Sequence, residues 1–429
     1  MINRVKNVFD SFLLKKKCVK TSKRLITGEY KGDFKPIDLS FLTDSQKAKI
    51  LSDAERIIKK EYQIYNFPVY HELNWEKDPV SGICMKSAPT TALIKTTALV
   101  NKADIKNWWE QSHLSCALTL AEAYFLCAEQ SYANECINII KDFSDKNPVG
   151  ESVLWKCHMD SAIRLANIVE AMGLIKDSNA FKDAKSFIEK AVTEHIVYIS
   201  SDYENKGDFP NNHYLTDLVG VIFGCVYLIK NYHNDRITYI FNDALERLKK
   251  ELFRQVCVDG FDYEFSTFYH CFVTELVCEV MDVLNINGFD VPTELSSVAG
   301  KMIGVCRLMG AFNCQLPLIG DQDSSRLFLL TGYFDFDRCD FCSLERLLLN
   351  EKGADTKSAG IYVLEKGKKR VFFKCGAVGT RGKGTHDHND QLSVCVFHNN
   401  EEIICDSGTY VYTLDTKKSS SDVSSSQYV

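Results

Sequence analysis

The sequence predicts an α+β chain in which a long helical region is followed by a short antiparallel β region. Three observations carry that prediction. Between residues 105 and 309, segment after segment repeats apolar residues at helical spacing with short breaks. Strand-like alternation is nearly absent before residue 358 and frequent after it. With 429 residues and a 45% hydrophobic content, the chain has material for two cores, one of them large.

Residues 1–35 are basic and weakly patterned and read as a lead-in segment. A helix begins at Asp44, with Asp44 and Ser45 as the cap and Ile50, Leu51, Ile57 and Ile58 on one stripe. A turn-rich patch runs from Asn74 to Gly82. Helices are then expected over Ile105–Glu129, Leu154–Leu174, Phe181–Ile199, His213–Asn231, Arg236–Cys257, Ser266–Leu284 and Thr293–Met309. Helices of similar length joined by short loops suggest hairpins wound into a bundle, solenoid or toroid. No clean sequence repeat selects among the three.

Near residue 345 the pattern changes. Strands flank Lys366-Gly367-Lys368, a hairpin signal, and two more, Gln391–His398 and Glu402–Cys405, flank Asn399-Asn400. Such spacing suggests a β-sandwich. Four to six strands are few for two closed layers, so either an open edge pairs with the helical domain or the chain stops early. Residues 416–429 are polar and low in complexity, as a disordered end would be. The expected domains are therefore 1–35 (lead-in), 36–345 (helical), 346–415 (partial β) and 416–429 (tail).

A net charge of -6 with no basic block argues against nucleic acid as a partner. It leaves room for a polyanion, because a cationic cleft can sit in an acidic chain. The 17 cysteines are scattered through apolar segments and read as buried free thiols in a reducing compartment, hence a cytoplasmic protein. The one Cys-x-x-Cys, Cys339 and Cys342, lacks a second pair and reads as core packing. Residues 1–17 show no secretory signal. The longest apolar run, Leu218–Ile229, is too short to span a bilayer, so no membrane span is expected.

Candidate chemistry centres on His386-Asp387-His388-Asn389-Asp390, where a glycine-rich loop meets a strand. Histidine titrates near neutrality and is the commonest metal ligand. Asn211-Asn212-His213 opens a helix. One asparagine serves as the N-cap, and the remaining amide and imidazole suit an anionic group. Asp259 through His270 is an aromatic-rich helix start, capped by Ser266 or Thr267, with Tyr269 able to act as acid or base. Asp321, in Gly320 to Arg326, reads as a turn-capping aspartate. Trp155, His158 and Arg164 lie along one helix, in the core or on the surface. A metallo-β-lactamase-like parse of His386, His388 and Asp390 is the weaker alternative, because Gln391 stands where a further histidine belongs and the αββα layering is missing.

Together these segments resemble the heparinase II/III-like family of polysaccharide lyases, related to alginate lyases. The matching text is Asn211 to Leu215, Asp259 to His270, Gly320 to Ser324, His386 to Ser393 and Asp406 to Tyr412. Weaker echoes are Trp109-Glu110 with Ser112, and Trp155 to Arg164. The likeness covers roughly residues 70–415, in order.

The resemblance implies an incomplete α/α toroid followed by an antiparallel β-sandwich, truncated here, with the active site in the cleft between them. It implies β-elimination on a uronate-containing anionic polysaccharide, with a non-catalytic glycan-binding or assembly protein as the alternative. Such a site must neutralise the carboxylate, remove the C5 proton and protonate the departing O4 oxygen. By motif, Asn212 with His213 is the neutraliser, and Tyr269 and His386 are the acid–base groups. Asn211, Glu264, His270 and Arg381 are expected to contact substrate. His388 and Asp406 match ligands of a structural zinc, whose third histidine, downstream in the family, is missing here. Family members that degrade external glycans are periplasmic or secreted, the alternative location.

Overall fold

The computed structural model describes residues 20–21, 25–26, 28–84, 103–232, 234–312, 315–322, 325–335, 341, 344, 346, 355–406 and 408–409. Cys339, Cys342, Asp323, Ser324, Tyr410, the tail 416–429 and most of the expected lead-in lie outside them. The described end of that lead-in belongs to the core. Leu25 and Phe34 are fully buried, and Phe34 packs edge-on against Tyr227.

Helix α1 spans Asp44–Ile58 and buries Ile50, Ala54 and Ile57. Its cap is Thr43, one residue before the expected Asp44 and Ser45. Thr43 and Gln46 exchange side-chain-to-backbone hydrogen bonds, which satisfies two helix-end donors at once. The single helix expected over 105–129 is two, α2 (Ile105–Gln111) and α3 (Ser115–Cys127), broken where Leu114 adopts φ 62°. A long-range contact accompanies the break: buried Arg164 donates to the Ser112 carbonyl and hydroxyl at 3.3 and 3.0 Å.

Helix α4 (Gln130–Lys146) was not anticipated, although Tyr132, Cys136, Ile139, Ile140 and Phe143 form its buried stripe. Then follow α5 (His158–Leu174), α6 (Asn179–Ser201), α7 (Asn212–Asn231), α8 (Asp235–Gln255), α9 (Thr267–Ile286) and α10 (Thr293–Met309). These spans sit within two or three residues of those read from periodicity, apart from α5. Residues 153–155, including Trp155, form a separate short turn before it.

The helices form two layers. Helices α3, α5, α7 and α9 are buried along most of their length and pack side by side in chain order. Helices α4, α6, α8 and α10 lie outside them. Helix α8 shows the outer pattern, burying Ile237, Phe241, Ala244, Leu248 and Leu252 at spacings of three and four residues. This is an incomplete α/α toroid.

The inner layer is tight where α7 crosses α5. A Cβ on Gly220 would lie 2.6 Å from Ala162 Cβ and 2.7 Å from its carbonyl oxygen. Helix α7 is longer than the apolar run seen in the sequence. By length and composition it is able to cross a membrane, yet 89% of that stretch is buried inside the fold, as a core helix is. Arg164 belongs to the core, bonded to Ser112, Leu154, Ser161 and His195 and stacked over Phe143 and Trp155.

The β region is a four-stranded antiparallel meander, in the order β1 (Ile361–Lys366), β2 (Lys369–Lys374), β3 (Ser393–His398) and β4 (Glu401–Ile404). Asn399 and Asn400 take φ 53° and 68°, the left-handed pair that a two-residue hairpin turn requires. Ile361, Phe372, Cys395 and Phe397 are buried, whereas Tyr362, Leu364, Val394 and Ile404 are exposed. One sheet is thus seen among the described residues. It docks on the helix ends: Ser358 N donates to Asp259 Oδ2 at 2.7 Å and Thr380 N to the Tyr263 carbonyl at 2.6 Å.

Candidate active site

The loop between β2 and β3 is organised by a buried cation. Lys374 Nζ, fully buried on β2, pairs with Asp387 and lies 2.9 Å from Asp390. Asp387 also accepts from Gly379 N at 2.7 Å. With the aspartates drawn toward Lys374, the alternate residues His386 and His388 reach Asp321. His386 Nδ1 lies 3.1 Å from Asp321 Oδ2, and His388 Nε2 lies 3.0 Å from Asp321 Oδ1.

Asp321 is held in turn by the backbone. Its N–H donates to the His386 carbonyl at 2.8 Å, and its carbonyl accepts from Ser266 Oγ at 2.7 Å. Gly320 has φ 80°, and a Cβ there would lie 2.5 Å from the His386 carbonyl oxygen, so a side chain would pry these segments apart. Burial opposes charge on Asp321, but hydrogen bonds from His386 and His388 hold its carboxyl well below the usual range. Bonds to Asp321 and Asp406 push His388 up to about 10.

On the toroid side, Asn212 is the first residue of α7 and is fully buried. Its Nδ2 donates to both oxygens of Glu264 at 3.0 and 3.1 Å, and its N–H to Oε1 at 2.8 Å. His386 Nε2 lies 3.4 Å from Glu264 Oε2. Tyr269, in the first turn of α9, stacks on the His386 ring with centroids 3.7 Å apart and planes 16° apart. Its hydroxyl accepts from Lys106 Nζ at 3.5 Å. Asn212, Glu264, His386, Tyr269 and Asp321 therefore form one connected chain.

Tyr269 faces a cleft lined by Lys106, Trp109, Glu110, Asp160 and His213 among others. The empty space there, open mouth included, is about 340 Å³. Burial lowers the pKa of His213, but the hydrogen bond and charge of Glu204, whose Oε2 is 2.7 Å from Nδ1, raise it overall. His213, its protonated form favoured in this way, lines the same cleft as Lys106.

Some expectations are corrected. His270 is fully buried, its Nδ1 accepting from Asp262 N and its Nε2 donating to the Met302 carbonyl, both at 3.1 Å. It braces the turn that carries Glu264, with both ring nitrogens engaged inside the protein. Glu264 is also fully buried, bonded to Asn212 rather than open to the cleft. The Asn212 amide, expected to meet a carboxylate on the substrate, meets this one. Asn211 caps α7, its Oδ1 accepting from His213 N. Arg381 is exposed on a loop with φ 53°, and its Nη2 donates to the Arg254 carbonyl at 3.4 Å. Asp321, read as a turn cap, is the junction of both histidines, and Lys106 and Glu204 were not singled out at all. Only the Gly-Asp-Gln match hinted at Asp321.

Near the expected metal pair, His388 Nδ1 lies 3.1 Å from Asp406 Oδ1. Asp390 offers a third donor, with ligand atoms of all three residues within 4.8 Å of one another. Neither Asp390 oxygen has a well-directed hydrogen bond. The donor set of one imidazole and two carboxylates fits a divalent cation, with buried Lys374 as the competing positive charge.

The fold is a helical toroid with a β-sheet seated on it, and a phenol, imidazoles and carboxylates, groups able to exchange protons, gather where the two meet. The Heparinase II/III N-terminus family matches residues 14–335, and the Heparinase II/III-like, C-terminal family matches residues 349–421. The chain belongs to the heparinase II/III family.

Among solved structures it is similar to Heparinase III, at 16% identity and a TM-score of 0.62, covering 94% of this chain and 63% of that one. It is also similar to a mutant of heparan sulfate lyase HepC from Pedobacter heparinus, at 18% identity and a TM-score of 0.51, covering 96% of this chain and 63% of that one. The chain thus spans under two thirds of the length of these relatives. No curated protein matches it in sequence.

Proposed function

We propose that the protein is a polysaccharide lyase that cleaves a uronate-containing anionic glycan by β-elimination. The observation that carries this reading is the Tyr269–His386 stack at the cleft, with Asn212 joined to it through Glu264. A proton α to a carboxylate leaves only if the carboxylate charge is offset and a base is in reach. Lys106 and the His213 imidazolium supply positive charge on the cleft wall. The Tyr269 hydroxyl, beside the Lys106 ammonium, is placed to take or give a proton, because a neighbouring cation favours the phenolate. His386 is the complementary group, oriented by Asp321 and Glu264. Asn212 acts by positioning Glu264, and Asn211 and Arg381 lie at the rim.

The test is to incubate the full chain with alginate, heparan-type and other uronate polymers and follow absorbance from the new C4–C5 double bond. Activity is expected, and Tyr269→Phe should lower it at least about a hundredfold. If no uronate polymer yields unsaturated product, the reading is wrong.

One observation favours the alternative, a glycan-binding or assembly protein without turnover. Both ring nitrogens of His386 and the Asn212 amide are engaged within the protein. That reading expects saturable glycan binding without cleavage, unaffected by Tyr269→Phe.

His388, Asp390 and Asp406 are the residues that would hold a structural zinc, which would tie the β2–β3 loop to the segment after β4. Zinc is expected to raise the melting temperature and a chelator to lower it, with His388→Ala reducing the difference. Equal melting with zinc and with chelator would remove the metal from this reading. The buried thiols Cys271 and Cys306, hydrogen-bonded at 3.7 Å in the core, support a reducing, cytoplasmic setting.

A further inference from the structure

The cleft wall carries a second set of ligand atoms, away from the Glu264–His386–Asp321 chain. Cys157 stands immediately before α5, Glu204 lies in the segment leading to α7, and His213 is in its first turn. One ligand atom from each lies within 4.8 Å of the others. His213 Nδ1 is 2.7 Å from Glu204 Oε2 and 3.7 Å from Cys157 Sγ. Zinc bonds of about 2.0–2.3 Å place tetrahedral ligands roughly 3.3–3.8 Å apart. The sulfur–nitrogen spacing therefore already fits, and Glu204 needs to withdraw by less than about 1 Å.

Cys157 occupies the N-cap of α5, with its thiol against the backbone N–H and carboxylate of Asp160, a position where serine or aspartate would cap better. Another α5 N–H is met by Glu204, whose Oε1 accepts from His158 N at 2.5 Å. The Asp160 carboxylate, beside the thiol, is a fourth donor. Cys157, Asp160 and His213 line the same cleft as Tyr269, so an ion has a route in.

We propose that Cys157, Glu204 and His213 form a site for a thiophilic divalent cation, zinc above all, and that the bound ion obstructs the cleft beside Tyr269. It differs from the His388–Asp390–Asp406 set in having a sulfur ligand, and it does not depend on the lyase reading.

Cobalt(II) titration of the full chain tests the site, because a cobalt–thiolate bond gives near-ultraviolet charge-transfer absorption that oxygen and nitrogen ligands do not. A band saturating at one cobalt per chain and displaced by zinc is expected. Cys157→Ser should reduce it at least about tenfold and His388→Ala should leave it in place. Glu204→Gln should keep the band but raise the half-saturating cobalt concentration about tenfold or more. If Cys157→Ser proves unfolded by circular dichroism, Glu204→Gln decides. A wild type without the band, a band undiminished in folded Cys157→Ser, or an unmoved midpoint in Glu204→Gln overturns the proposal. Where glycan cleavage is also detected, zinc should inhibit the wild type and spare Cys157→Ser. The band without cleavage would uphold this site while refuting the lyase reading.

Discussion

Adjacent residues here do unlike jobs for a geometric reason. Successive residues on a helix point about 100° apart, so Tyr269 faces the cleft while His270 enters the core and braces a turn. Motif text presents the two as one unit, so the sequence alone suggests a substrate contact at His270 as well. Buried charge also shapes this scale. Glu170 accepts from Ile37 N at 2.7 Å, and burial pushes its pKa from 4.5 up to about 8. The folded chain therefore holds a proton that the unfolded chain releases. Stability from this group is full below pH 4.5 and is lost as pH rises through about 8. Glu170→Gln stays neutral and keeps an acceptor for Ile37. Its melting temperature relative to wild type should rise between pH 5 and pH 8, and an offset independent of pH would contradict this.

Whole elements were the most legible feature, because helix and strand periods are local. The spans of α6 to α10 and the two β hairpins were close to their final bounds for that reason. The break before α3 was invisible, since it coincides with Arg164 reaching Ser112 from α5. The crossing of α5 and α7 makes its own prediction. Gly220→Ala drives a Cβ into the Ala162 backbone, whereas Gly224→Ala meets the Ile196 side chain, nearest at 2.8 Å. Overpacking of this kind costs about 1–3 kcal/mol, and the Ile196 side chain has room to turn while a backbone does not. Chemical denaturation should place Gly220→Ala below Gly224→Ala in stability, and the reverse order would refute the argument.

At the scale of the whole molecule, His386 reaches Tyr269 because the β region is seated on the toroid. Gly379 is a tight point of that seat, where an added Cβ would collide with the Glu264 carbonyl. The same loop joins Thr380 N to the Tyr263 carbonyl at 2.6 Å. Gly379→Ala should shift the β2–β3 loop away from Glu264 and loosen the Tyr269–His386 stack. Glycan cleavage is expected to fall at least about tenfold, since small misplacements are costly in catalysis, while the main thermal transition of the helical core moves little. A variant with full activity would show that the seat does not set the Tyr269–His386 stack.

The amino-acid sequence alone determined the order of helices and strands, most of their spans, and the residue types at the cleft, because each rests on short-range periodicity or on contiguous motif text. Only the tertiary structure decided that Glu264 takes the Asn212 amide, that Asp321 joins His386 to His388, and that Asp390 stands beside His388 and Asp406. Most of these contacts link segments tens of residues apart, and no local pattern of apolar and polar residues encodes which partner a buried polar group will meet.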